Sequence, residues 1–99
     1  MNTYVIFRRK GWASAKLLER AAARSLRVAD QEMSSRIRWI RSYVTEDGGM
    51  LGTVCIYQAP DDEAIREHAR RAGLPLDEIL PVADTEIVRP DRESLVASR

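Results

Sequence analysis

The chain has few of the groups that small proteins use to hold themselves together or to do chemistry. One cysteine in 99 residues, Cys55, excludes an intrachain disulfide framework and every multi-cysteine zinc motif. One histidine, His68, cannot supply a His-rich metal site by itself. No apolar run approaches the ~18–20 residues of a membrane span, so no membrane association is expected. The opening Met1–Lys10 stretch places its apolar residues before its cations, unlike a signal peptide, and a cytoplasmic protein is the expectation. No glycine-rich phosphate loop, dinucleotide fingerprint or glycine-rich turn around Cys55 is present. No helix-turn-helix, zinc-finger or ribonucleoprotein motif occurs, and nucleic acid is not an expected partner.

What is present suits one domain. A chain of about 100 residues buries roughly two-thirds of its unfolded surface, enough for one core without staples. Apolar residues make up 44% and charged residues 31% of the sequence. The net charge of +1 conceals an asymmetry: residues 1–41 hold ten Lys/Arg against three Asp/Glu, whereas residues 42–99 hold six against twelve. Packing mixes such halves into a neutral surface unless the cations converge on an anion. Residues 1–89 read as the domain and the polar residues 90–99 as a tail.

Thr3–Arg9 is β-branched and aromatic and predicts a first strand. A helix is predicted from Ala15 to Met33 with Ser14 as N-cap, its apolar stripe running Leu18, Ala22, Leu26, Ala29, Met33. Ile37–Thr45 and Gly52–Ala59 flank a Glu-Asp-Gly-Gly turn and read as a hairpin. Asp61 caps a second helix that carries acids in its first turn and arginines in its last, and Gly73 and Pro75 end it. A closing strand is predicted over Ile79–Val88, with Pro81 confining it to an edge. The order is βαββαβ, an α+β ferredoxin-like fold: a four-stranded antiparallel sheet with two helices on one face.

Strict alternation sorts the strands into Val5, Phe7, Ile40, Val44, Val54, Ile56 on one face and Tyr4, Ile6, Trp39, Tyr43, Cys55, Tyr57 on the other. Two helices cover only one face. An uncovered apolar face predicts a homodimer, with two sheets packed against each other and room between them for a small ligand.

His68 falls on the buried stripe of the second helix with Ile65, Ala69 and Ala72. His68 and Cys55 are the candidate metal ligands, an imidazole and thiolate suited to a soft or borderline ion. The competing reading is a core histidine bonded to backbone beside an inert buried thiol. Arg8, Trp39, Arg41, Tyr43 and Tyr57 are the candidate ligand-pocket residues, with Arg8, Arg41 and Tyr43 able to clamp an anion. No catalytic residue is assigned.

The segments Trp39-Ile40-Arg41-Ser42-Tyr43-Val44, Cys55–Pro60 and Glu63–Pro75 resemble the signatures of a family of small bacterial proteins described as nickel-binding-protein-like. The resemblance covers residues 3–88 and implies a ferredoxin-like fold assembled as a dimeric α+β barrel. It implies nickel or another divalent metal at Cys55 and His68. The nickel-binding branch also has a histidine on strand one and a glutamate after strand three, where this chain has Phe7-Arg8-Arg9 and Gln58. The expected function is a small dimeric binding protein holding a metal ion or small ligand. The alternative is a cofactor-independent dimeric barrel enzyme of monooxygenase or isomerase type, with His68 or a tyrosine moving protons. A structural or regulatory interaction module is a third possibility.

Overall fold

The β-branched N-terminal run extends past its expected end to form β1, Asn2–Trp12. The computed structural model describes residues 1–92, and the last seven residues of the expected tail, 93–99, lie outside the described residues. After β1 come α1 (Ala15–Arg27), β2 (Arg38–Asp47), β3 (Met50–Ala59), α2 (Asp62–Ala72) and β4 (Glu78–Pro81). The strands form one antiparallel sheet in the order β2-β3-β1-β4, the ferredoxin-like arrangement, and its edges stay open. Among the described residues no helix is long and apolar enough to cross a membrane.

Local chemistry sets the element ends. Ser14 Oγ accepts from the Leu17 N–H and Asp61 Oδ1 from the Ala64 N–H, each satisfying a donor the helix cannot. Gly73 closes α2 in the left-handed region at φ 67°. The β2–β3 turn is Gly48-Gly49, both with positive φ, as a tight hairpin requires.

The first helix is not the single α-helix that the spacing predicts. After Arg27 the chain widens into a π-helical turn over Val28–Glu32, with the Met33 N–H bonded to the Val28 carbonyl five residues back. The buried face is also rotated from the expected stripe. Ala21, Ser25, Val28, Ala29 and Met33 are buried, whereas Leu26 is half exposed. The closing strand is shorter than Ile79–Val88. Pro81 has no N–H to continue the ladder, and just beyond it the Val82 N–H reaches back to the Thr3 carbonyl at 2.9 Å.

Sheet alternation holds on β1 and β3 but breaks on β2. Trp39 pairs with Tyr57 and Arg41 with Ile56, so Ile40 is an extra residue in a β-bulge. The bulge moves Tyr43 from the expected company of Trp39 and Tyr57 to the open face and brings Ser42 and Val44 to the helix side. The core between sheet and helices holds Tyr4, Ile6, Val28, Tyr57 and Ile65, and His68 is buried beside them. The opposite face presents Val5, Phe7, Tyr43, Val54, Ile56 and Leu80, without helical cover.

Candidate functional site

A cavity of about 100 Å³ lies between α1 and the helix-side face of the sheet. Leu18, Ala21 and Ala22 wall it from α1, and both tryptophans of the chain, Trp12 and Trp39, line it from the strands. Two strand irregularities put them there. On β1, Arg8 pairs with Thr53 and Trp12 with Leu51, so three residues of β1 bulge opposite the single residue Gly52. Lys10 takes a positive φ of 50° within that bulge. A Cβ on Gly52 would fall 2.5 Å from the Arg8 carbonyl oxygen, so only glycine admits this close approach. The Ile40 bulge does the same for β2, turning both Trp39 and Ser42 inward.

The cavity wall is almost wholly apolar, and the polar groups beside it are enclosed by protein. Arg8 is 2% exposed. Its Nη1 donates to the Pro75 carbonyl at 2.8 Å, but Nη2, equally buried, finds no partner in hydrogen-bonding geometry among the described residues, though the guanidinium bears on the Tyr57 phenol. No carboxylate pairs with Arg8 among the described residues. A buried cation without a counter-charge is costly, and the group cannot shed its proton to escape the cost. Directly across from Arg8 stands Thr53.

Next to Thr53 runs a short relay. Trp39 Nε1–H donates to Ser42 Oγ at 2.8 Å, and the Ser42 hydroxyl donates to Cys55 Sγ at 3.0 Å. The Cys55 thiol donates to Thr53 Oγ1 at 3.4 Å. The relay ends on Thr53 as acceptor, which leaves the Thr53 hydroxyl proton available to a further acceptor.

Deeper in the core, a second network joins the helices to the sheet. Tyr57 Oη and Ser25 Oγ lie 3.1 Å apart, and His68 Nε2 donates to the Ser25 carbonyl at 3.0 Å. Tyr57 also meets the His68 ring edge-on, with centroids 5.3 Å apart, and stacks on Trp39 at 5.9 Å. Burial pushes the Tyr57 phenol above its ordinary pKa, against the opposing pull of the Arg8 charge. Burial pushes His68 below its ordinary pKa; the Ser25 carbonyl opposes this and the Arg8 charge adds to it. These shifts favour the neutral ring, and its buried Nδ1 has no partner among the described residues.

The expected ligand pocket is thus divided. Arg8 and Trp39 line the cavity, Tyr57 supports Trp39 from the core, and Arg41 and Tyr43 lie on the open face in a separate groove with Ile40 and Ile56. The Arg8–Arg41–Tyr43 clamp is not assembled within this chain. Cys55 faces the cavity and His68 is wholly buried, as its helical spacing predicts.

The donors do not fit a shared divalent ion. Cys55 Sγ and His68 Nε2 already hold hydrogen bonds, and the Arg8 guanidinium charge bears on the His68 ring. Among the described residues no three His, Cys, Asp or Glu side chains gather to complete a shell. Sequence reasoning missed Trp12, Ser25, Ser42 and Thr53. Only Ser25 carried a signal, as a small hydroxyl one turn after Ala21.

A family model described as nickel responsive protein SCO4226-like matches residues 4–82. Among solved structures, SCO4226 from Streptomyces coelicolor A3(2) superposes with a TM-score of 0.67 at 21% sequence identity, covering 85% of this chain and 99% of that one. At that identity the likeness is one of fold. No curated protein matches the chain.

Proposed function

This chain belongs to the nickel responsive protein SCO4226-like family, and from that membership and the site geometry we propose that it is a homodimeric binding protein that holds a small molecule in the cavity between α1 and its sheet. The observation that carries the reading is the cavity itself, walled by Leu18, Ala21 and Ala22 of α1 and by both tryptophans. Its wall is almost wholly apolar, which suits a small molecule that offers carbon surface. The homodimer rests on the uncovered face. Val5, Phe7, Val54 and Ile56 are only partly buried there, and Tyr43 is 55% exposed. A second copy of that face would cover them. The family's nickel response is not routed through Cys55 and His68 in this reading, because their donors are engaged elsewhere.

The test uses the two tryptophans as reporters. Titration with a panel of charged and neutral small molecules should give a saturable change in tryptophan emission for at least one of them. Ala22→Leu, which fills the cavity from α1, should abolish that change while the far-ultraviolet circular dichroism stays as in the wild type. If no compound in the panel moves the emission, or if Ala22→Leu leaves binding intact, the reading is wrong.

A further inference from the structure

What the cavity withholds from a ligand decides which class it admits. Of the residues that line it, Leu18, Ala22, Trp39, Ser42, Val44 and Leu74 keep some exposure and form its rim, and none of them is charged. Among the described residues Arg8 is the only ionic group in the lining. Its Nη1 donates to the Pro75 carbonyl and its Nη2 is enclosed by protein, so neither meets a molecule in the cavity. The neutral polar groups are engaged with one another. Trp39, Ser42, Cys55 and Thr53 share the relay, and Ser25 Oγ lies against Tyr57 Oη. A charged molecule would give up its hydration here and gain no counter-charge. An uncharged hydrocarbon gives up no hydrogen bonds and gains contact with the wall.

The volume sets the size of the occupant. An engineered apolar cavity of about 150 Å³ takes benzene, and this one is about 100 Å³. By that scale it holds a body of about four or five carbons. An apolar space of this kind stays dry, so when it is empty its lining atoms lose dispersion contacts that a hydrocarbon of the right size restores. We propose that the cavity binds an uncharged molecule with a short hydrocarbon body, chosen by size and by the absence of charge and held without a polar anchor. This rests on the reading above that the cavity is a small-molecule site.

The experiment titrates wild-type protein with 2-methyl-2-butene. The anion 3-methyl-2-butenoate and the cation 3-methylbutylammonium serve as charged counterparts with a similar branched body, and camphor as an uncharged but larger cage. Tryptophan emission and titration calorimetry are read in parallel. The alkene should saturate, and each of the other three should bind at least tenfold more weakly. Val44→Lys places a cation at the rim on a side chain that is already 60% exposed, and it should tighten the butenoate several-fold. The wild-type comparison of ligands needs no variant to fold. If either ion binds as tightly as the alkene, the small-molecule reading stands and the uncharged class falls. If camphor binds as tightly, the size limit falls. If Val44→Lys leaves the butenoate as weak as before, the uncharged rim is not what excludes it. If the alkene fails to bind while other small molecules do, the ligand class is wrong; if nothing binds, both readings fail together.

Discussion

His68 Nε2 donates to the backbone carbonyl of Ser25 at 3.0 Å and lies 3.4 Å from the Ser25 hydroxyl, so the middle of α2 is tied to α1 inside the core. It also sets the tautomer: with the proton on Nε2, the other ring nitrogen keeps its lone pair without a donor.

The first expected outcome concerns pH. Burial lowers the folded-state pKa of His68 below the ordinary value of about 6.5 that the unfolded chain retains. Between the two values the unfolded state binds more protons, so stability falls as pH drops below about 6.5, by up to about 1.4 kcal/mol per pH unit, and stops falling below the folded pKa. Above about 6.5 the ring is neutral in both states and contributes no slope. Urea unfolding at pH 7.5, 6.0 and 5.0 should show this loss, and His68→Gln should flatten it. An equal slope in the variant would mean that the acid sensitivity comes from other groups.

Gly52 provides the second. Its Cβ would meet the Arg8 carbonyl oxygen at 2.5 Å, a backbone atom that cannot swing away. Gly52→Ala should cost about 1–3 kcal/mol, as overpacking does. It should also redshift tryptophan emission, because relieving the clash opens the bulge that keeps Trp12 at 8% exposure. Wild-type stability and emission in the variant would mean that the β1 bulge is soft.

The third concerns the open face. Sedimentation at micromolar concentration should give twice the 11.2 kDa mass of the chain. Tyr43→Glu combined with Ile56→Lys, both facing away from the helices, should shift it toward the single-chain mass without changing the circular dichroism. A wild-type chain that sediments as a monomer would end the dimer reading.

The fourth concerns metal. Nickel titration should give no binding that depends on both Cys55 and His68, so Cys55→Ser and His68→Ala should leave any weak heat where it was. Strong nickel binding abolished by either substitution would show that the hydrogen bonds to Ser42 and Ser25 yield to the metal.

The fold was legible where local rules act alone. The capping residues Ser14 and Asp61, the Gly48-Gly49 turn and the Gly73 stop each satisfy a backbone requirement within a few residues, and the βαββαβ order follows from them. The burial of His68 was legible because α2 keeps a regular 3.6-residue period. The site was legible only in part, because bulges and the π turn break periodicity without leaving a residue type as a mark. Ile40 is a good strand residue, and nothing in Trp39-Ile40-Arg41 says that two residues will oppose one. That one insertion exchanged Tyr43 for Ser42 on the helix side. Arg8 was visible as a candidate, but its lack of a carboxylate partner among the described residues is a tertiary fact, set by which neighbours the sheet brings.

The Ile40 bulge has a further consequence, since β2 is an outer strand of the sheet. A straight outer strand of ten residues would present an unbroken row of amides to which another chain could add a strand. The extra residue interrupts that row, and the exposed Arg38 and Arg41 place positive charge on both sides of the interruption. The irregularity that turns Trp39 and Ser42 toward the cavity therefore also protects the protein against edge-to-edge aggregation, and a deletion that straightened β2 would endanger solubility along with binding.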